Sequence, residues 1–392
     1  MVEVADIFRE HGSEYRRKHK LPLPMLKAMS AIESCRTARL GGHVDECDEC
    51  GHVNISYNSC RNRHCPKCQT RAKEQWLEDR KEDLLPVGYF HVVLTIPQEL
   101  NPLVLRNSKE MYNILFKAGS ETLLELGRDI KHLGADIGFI TILHTWGQNL
   151  MEHPHLHCVV PGGGLSKDGD RWITTKKKDF FIHVNVISKL FMCKFLCYLK
   201  KAYQNKKLKF PGIIQEISEE QEFQGFVDNL YRKKWVVYCK PPFGGAEQVL
   251  EYVGRYTHRV AISNTRIINI EDKKVTFRWK DYKDESKTKE MTVTVEEFIR
   301  RFLLHILPDG FIKIRYYGIL SSRNKQTKLK KSKDLLVYIE NKRGLKVSKC
   351  DLLEGMINKV EIICPCCKKG IMKIRETLLP DRPSPPQIVR KQ

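Results

Sequence analysis

The chain has 392 residues, 41% of them hydrophobic, enough to bury a core spread over two or three domains. Its 68 Lys plus Arg against 47 Asp plus Glu give a formal charge of +21, so an anionic polymer is the expected partner. Neither a membrane span nor a secreted disulfide framework is expected. The most apolar long stretch, 180–199, is interrupted by His183, Asn185, Lys189 and Lys194, and the N-terminus carries no apolar signal core, so the fourteen cysteines belong in a reducing cytoplasm.

In chain order, residues 1–70 read as a small module with a helical start and a dense cysteine cluster. In CDECGHVNISYNSCRNRHCPKC the pairs Cys47-x2-Cys50 and Cys65-x2-Cys68 form two knuckles, whose four thiolates can surround Zn²⁺ tetrahedrally. These four are the first choice of ligands. Cys60 and His64 lie between the knuckles, and Cys35 and His43 upstream, each a substitute ligand or part of a second site. A closed four-ligand site has no open position for substrate, so the zinc is expected to be structural in a module too poor in apolar residues to fold alone. Arg61, Arg63, Lys67 and Arg71 around it are candidate phosphate contacts.

Residues 71–319 read as one α+β unit built on an antiparallel sheet. A charged amphipathic helix over 71–86 ends at Pro86. Strands are expected at 89–96, 137–146, 155–161, 234–240 and 275–280, and helices near 102–127, 183–205 and 246–262. The Glu- and Gln-rich stretch 211–228 reads as an insertion or a packing helix. In HTWGQNLMEHPHLHC two strands flank a turn at about 151–154, and period-two alternation puts His155 and His157 on one face. Across this hairpin His144 and Gln148 share a face, so either could supply a third metal ligand. Three such ligands leave positions for phosphate oxygens and water on a divalent ion. His153, beside the turn, suits orientation or phosphate contact. The following Pro-Gly-Gly-Gly run, 161–164, allows close approach of backbone or DNA but is no P-loop, since no Gly-Lys-Ser/Thr follows.

In GGAEQVLEYVGRYTHRVAIS a helix begins after Gly244 and Gly245, placing Tyr252 and Tyr256 at i and i+4 on one face. Arg255, His258 and Arg259 beside them suit a phosphate substrate. A tyrosine oxygen there can attack a phosphodiester to give a phosphotyrosine and a free 3′-hydroxyl. Reversal by a different 3′-hydroxyl joins new strands without ATP. Residues 320–392 open with a basic linker, SSRNKQTKLKKSKD, and continue into a tail where Cys364-x2-Cys367 makes half a zinc site. Its only close companions in sequence are Cys350 and Cys366.

The segments CRTARLGGH, SCRNRHCPKC, FHVVLTIP, LHTWGQNL, HPHLHCVVPGGGL, YVGRYTHRVAIS and FIRRFLLHILPDGFIKIRYYG occur in this order over nearly the whole chain. In them the sequence resembles the two-tyrosine His-hydrophobic-His (HUH) rolling-circle transposases of bacterial insertion sequences, with their N-terminal zinc-binding domain. The resemblance implies an α+β HUH endonuclease core, its central antiparallel sheet flanked by helices and its nucleophile helix packed beneath. It implies Mg²⁺ or Mn²⁺ on His155 and His157, nucleophiles at Tyr252 and Tyr256, and single-stranded DNA with hairpin-bearing ends as substrate. A host helicase or the replication machinery, at the bacterial nucleoid, is then the expected help. A plasmid replication initiator or relaxase would share the chemistry, and a catalytically decayed zinc-dependent DNA-binding regulator would share the module. The segment 298–318 is expected only to pack.

Overall fold

The computed structural model describes residues 2–81, 83–177, 181–241, 254, 260–281, 284–342 and 362–381. At its centre is a five-stranded sheet in the order β12-β4-β5-β3-β8, with every neighbouring pair antiparallel. These strands are β3 (Tyr89–Thr95), β4 (Gly138–Trp146), β5 (Glu152–Pro161), β8 (Val237–Lys240) and β12 (Ile314–Gly318), with β6 (Gly163–Leu165) and β7 (Trp172–Thr174) paired as a small ribbon of their own. The expected strands at 89–96, 137–146 and 155–161 are its three middle members, and 234–240 supplies one edge.

Side-chain alternation divides the sheet's two faces between different tasks. On one face Phe90, Val92, Leu94, Phe139, Leu143, Leu156, Cys158 and Val160 are buried in a single apolar core. That core is closed by α4 (Asn101–Arg106), α5 (Ser108–Arg128), α6 (Val184–Gln204) and α7 (Glu220–Arg232). The helix expected at 102–127 is broken at Asn107, whose side chain turns to the carbonyls of Leu103 and Lys209. Gly119 lets α5 sit directly on the sheet, because a Cβ there would come within 2.8 Å of Leu94. The stretch 211–228 contributes Phe223 and Val227 to this core through α7, so it packs.

The opposite face is apolar at one end, where Tyr89, Ile140, Ile142 and Val159 pack against Leu329 and Leu336. Leu336 lies on α9 (Lys330–Lys342), a helix that begins inside the stretch expected as a basic linker and runs past its end at Asp334. Leu329, just before this helix, and Leu336 on it stand seven residues apart and give the segment an apolar stripe that the lysine count obscures. At its other end this face carries histidines.

A second body of structure forms from two segments far apart in the chain. The helices α1 (Val4–Lys18) and α2 (Leu23–Ser34) share a core with the three-stranded sheet β9 (Ile267–Glu271), β10 (Lys274–Asp281) and β11 (Lys287–Thr294), and with α8 (Val295–Leu304). Phe8 meets Phe302 edge-on at 5.3 Å, and Phe277 meets Phe298 at 5.9 Å. Residues 1–70 therefore do not bury their apolar surface among themselves. Their remaining elements are the hairpin β1 (Gly42–Cys47) and β2 (Val53–Tyr57), and the start of α3 (Pro66–Lys81). The hairpin gains a third strand, β13 (Met372–Leu378), in the order β13-β1-β2.

Candidate functional site

The histidine hairpin turns at residues 147–151 rather than at 151–154. Gly147 donates to the Met151 carbonyl at 2.8 Å, and Pro154 lies within β5. Leu150 takes a left-handed φ of 63° in this turn, which its fully buried side chain in the second core compensates. Arg266, Arg301 and His305 donate to the consecutive carbonyls of Gln148, Asn149 and Leu150. Burial pushes His305 down to about 4, so it is neutral and also takes the Thr145 hydroxyl on Nδ1 at 3.2 Å. The 298–318 segment thus packs, as expected, and also pins the hairpin tip through Arg301 and His305.

Register places His144 directly opposite His155, with His157 diagonal to it. The Nε2 atoms of His155 and His157 lie 3.0 Å apart, and His157 Nε2 lies 3.1 Å from His144 Nδ1. Two nitrogens bound at right angles to one divalent ion would be about 3.0 Å apart, so the donor set fits a metal. Further, His155 Nδ1–H donates to the His153 carbonyl at 2.6 Å, leaving the Nε2 lone pair facing inward. His153 therefore orients through its backbone. Of the two candidates for third ligand, His144 is in the cluster, while Gln148 lies beyond the strand end in the turn.

His91 was not singled out from sequence. Its Nε2 lies 2.7 Å from His157 Nδ1, and desolvation holds it neutral, down to about 4. The signal was there: β3 alternation puts His91 on the face of Val93, which pairs with His157.

The four knuckle cysteines do not share a site, which corrects the first-choice zinc set. Among the described residues, Cys35, Cys60, Cys65 and Cys68 form one cluster, and Cys47, Cys50, Cys364 and Cys367 another. The physical reason is the β1–β2 hairpin, which carries the first knuckle away from the second. Sulfur–sulfur distances are 3.6 Å for Cys35–Cys68 and Cys60–Cys68, close to the roughly 3.8 Å edge of a tetrahedron with 2.3 Å Zn–S bonds. His64 and His43 join neither cluster. His64 accepts from the Leu307 amide, and burial pushes it down to about 3, whereas His43 faces Asp45 at 3.4 Å.

Two of the expected phosphate contacts are engaged internally. Arg63 is half-buried and donates to the Phe311 carbonyl at 2.7 Å, and Lys67 pairs with Glu3 at 2.6 Å. Arg61 is exposed. Arg71 lies on α3, with its side chain outside the described part. Tyr252, Tyr256, Arg255, His258 and Arg259 lie outside the described residues.

Known proteins place this arrangement in a class. Residues 138–328 match the family described as "Putative transposase", and residues 7–96 match the "Transposase zinc-binding domain" of IS91 type. The chain is 51% identical over 374 residues to "Putative transposase y4qJ" of Sinorhizobium fredii (strain NBRC 101917 / NGR234), covering 94% of each. It is 26% identical over 301 residues to the "Transposase for insertion sequence element IS801" of Pseudomonas savastanoi pv. phaseolicola, covering 76% of this chain and 70% of that one. A DNA- and copper-bound conjugative relaxase, TRWC, aligns over 42% of this chain and 69% of its own, at 12% identity and a TM-score of 0.22, too low to carry argument. The molecule is thus a transposase with a zinc-binding domain. It belongs to the IS91 family of rolling-circle transposases. No helix among its described residues is long and apolar enough to cross a membrane.

Proposed function

We propose that this transposase nicks and rejoins single-stranded DNA at hairpin-bearing element ends, and joins them to target DNA, through a covalent 5′-phosphotyrosine. The observation that carries the reading is the convergence of three imidazole nitrogens from one hairpin. His144, His155 and His157 would hold Mg²⁺ or Mn²⁺, and the backbone of His153 and the ring of His91 keep two of those rings in the required orientation. Held there, such an ion would supply Lewis-acid polarisation of the non-bridging phosphate oxygens.

Tyr252 and Tyr256 are the proposed nucleophiles. The phenolate oxygen of one forms a bond to phosphorus, the bond from phosphorus to the 3′-oxygen breaks, and the leaving 3′-oxygen takes a proton. A second 3′-hydroxyl reverses the step and releases the tyrosine. Two tyrosines allow a second cut while the first adduct persists. Arg255, Arg259 and the exposed Arg61 are proposed phosphate contacts, and a host helicase or replication fork would supply the single strand.

The test uses oligonucleotides bearing the element's ends, with gel detection of cleavage and mass spectrometry of the adduct. Cleavage dependent on a divalent ion, with the 5′ product attached to Tyr252 or Tyr256, is expected. Normal cleavage by a Tyr252→Phe and Tyr256→Phe double variant would remove the nucleophile assignment. Cleavage surviving His155→Ala with His157→Ala would remove the metal assignment.

A further inference from the structure

We propose that Cys47, Cys50, Cys364 and Cys367 bind a second zinc ion, which clasps the C-terminal segment 362–381 onto the N-terminal hairpin. The four sulfurs come from positions more than 300 residues apart in sequence, yet Cys47–Cys367 and Cys50–Cys364 both stand at 3.7 Å. That is far beyond a disulfide bond and close to the roughly 3.8 Å edge of a tetrahedral zinc–thiolate site.

Both halves have the form of a zinc knuckle. Cys47 ends β1 and Cys50 follows in a turn closed by the Gly51 amide on the Cys47 carbonyl. The C-terminal half is a tight loop in which Ile363 bridges Ile371. There the Cys366 amide points at Cys364 Sγ at 3.4 Å and the Gly370 amide at Cys367 Sγ at 3.3 Å. Amide donors of this kind stabilise thiolate, the form a metal requires. Gly370 is needed for the close approach, since a Cβ there would fall 2.5 Å from Cys47 Sγ.

The strand that follows has little else to hold it. The middle of β13 is exposed along five consecutive residues. It pairs with β1, adds ion pairs from Lys373 to Asp48 and Arg375 to Glu46, and buries almost no apolar surface. Exposed ion pairs contribute little, and a strand without a hydrophobic face is marginal. A metal closing a loop of this length supplies the missing constraint. Residues 362–381 are then part of the N-terminal metal module, not a tail.

The experiment counts zinc on the purified full chain and maps which thiols it protects from alkylation. Two zinc ions per chain are expected, falling to one in Cys364→Ser with Cys367→Ser and to one in Cys35→Ser with Cys60→Ser. Cys366→Ser should leave two. In the first double variant the amides of residues 372–378 should lose hydrogen-exchange protection, while those of β3, β4 and β5 keep theirs. If either double variant does not fold, alkylation of the zinc-loaded wild type decides. Slow labelling of Cys364 and Cys367 relative to Cys366, lost on chelation, supports the clasp. One zinc per chain, or Cys364 and Cys367 labelled as fast as Cys366, would overturn it.

Discussion

The histidine cluster and the cysteine clusters are the three proposed metal sites, and they are assembled in opposite ways. The histidines sit on a hairpin whose strand β4 is buried at eight consecutive positions and pairs with β5 along most of its length. The Cys47, Cys50, Cys364 and Cys367 cluster sits where apolar support is thin, since Val53, Ile55 and Tyr57 of β2 are 46%, 51% and 39% exposed, while the Cys35, Cys60, Cys65 and Cys68 cluster ties the same module to the second core. The first site is preorganised by the fold, and the second kind of site helps to make the fold. Removing metal from one should cost chemistry, and from the other, structure.

The largest effect should come from breaking a cysteine cluster that also contributes to a core. Cys65 is 1% exposed and lies in the core shared by α1 and α8. Cys65→Ser should lower the melting temperature by about 10 °C or more and release zinc, as expected when several kcal/mol of metal binding is folding energy. Calorimetry with zinc analysis checks this, and an unchanged transition would place the cluster outside the folding unit. His157→Ala should do the reverse, lowering cleavage by about a thousandfold or more while the protein remains folded. If His157→Ala melts as early as Cys65→Ser, the contrast between the two kinds of site is wrong.

That contrast also explains what was legible beforehand. The histidine cluster depends on alternation and pairing within one hairpin, so the shared face of His155 and His157 could be read directly, while the choice between His144 and Gln148 needed the register set by the turn at 147–151. His91 could have been reached by extending the same parity to the next strand, which requires knowing that β3 pairs with β5. The cysteine grouping could not be read, because C-x2-C spacing identifies a half-site and carries no information on which half-sites meet. Sequence proximity favoured joining Cys47 and Cys50 to Cys65 and Cys68, but pairing of β1 with β13 prevailed. Arg63 and Lys67 show a similar limit. A basic residue near a cysteine cluster looks like a phosphate contact until its partner, here the Phe311 carbonyl or Glu3, is known.

A smaller effect is expected one step behind the histidine ligands. His91 touches His157 and not the ligand atoms facing inward, so it is a positioning residue. His91→Phe should raise the divalent-ion concentration for half-maximal cleavage about 10- to 100-fold, with activity recovered at high metal. A metal titration separates this from loss of a ligand, which added metal would not rescue. An unchanged midpoint would show that the hairpin alone fixes the His157 ring.

The smallest effect on cleavage concerns the device that holds the hairpin tip. His305 is fully buried, neutral, and shared between the Thr145 hydroxyl and the Leu150 carbonyl. Its folded-state pKa is depressed from 6.5 to about 4, so between these values the unfolded chain binds the extra proton. The stabilisation is complete above about pH 6.5 and is lost as pH falls toward 4, by up to about 3 kcal/mol. His64, depressed to about 3, adds to the same trend and extends it lower. Urea unfolding between pH 7 and pH 4.5 should therefore show stability falling with pH, less steeply in His305→Gln, whose amide can keep one of the two contacts. Because Arg266 and Arg301 still hold Gln148 and Asn149, the variant should retain most of its cleavage activity at pH 7. Equal pH slopes in wild type and variant would show that His305 does not carry the linkage.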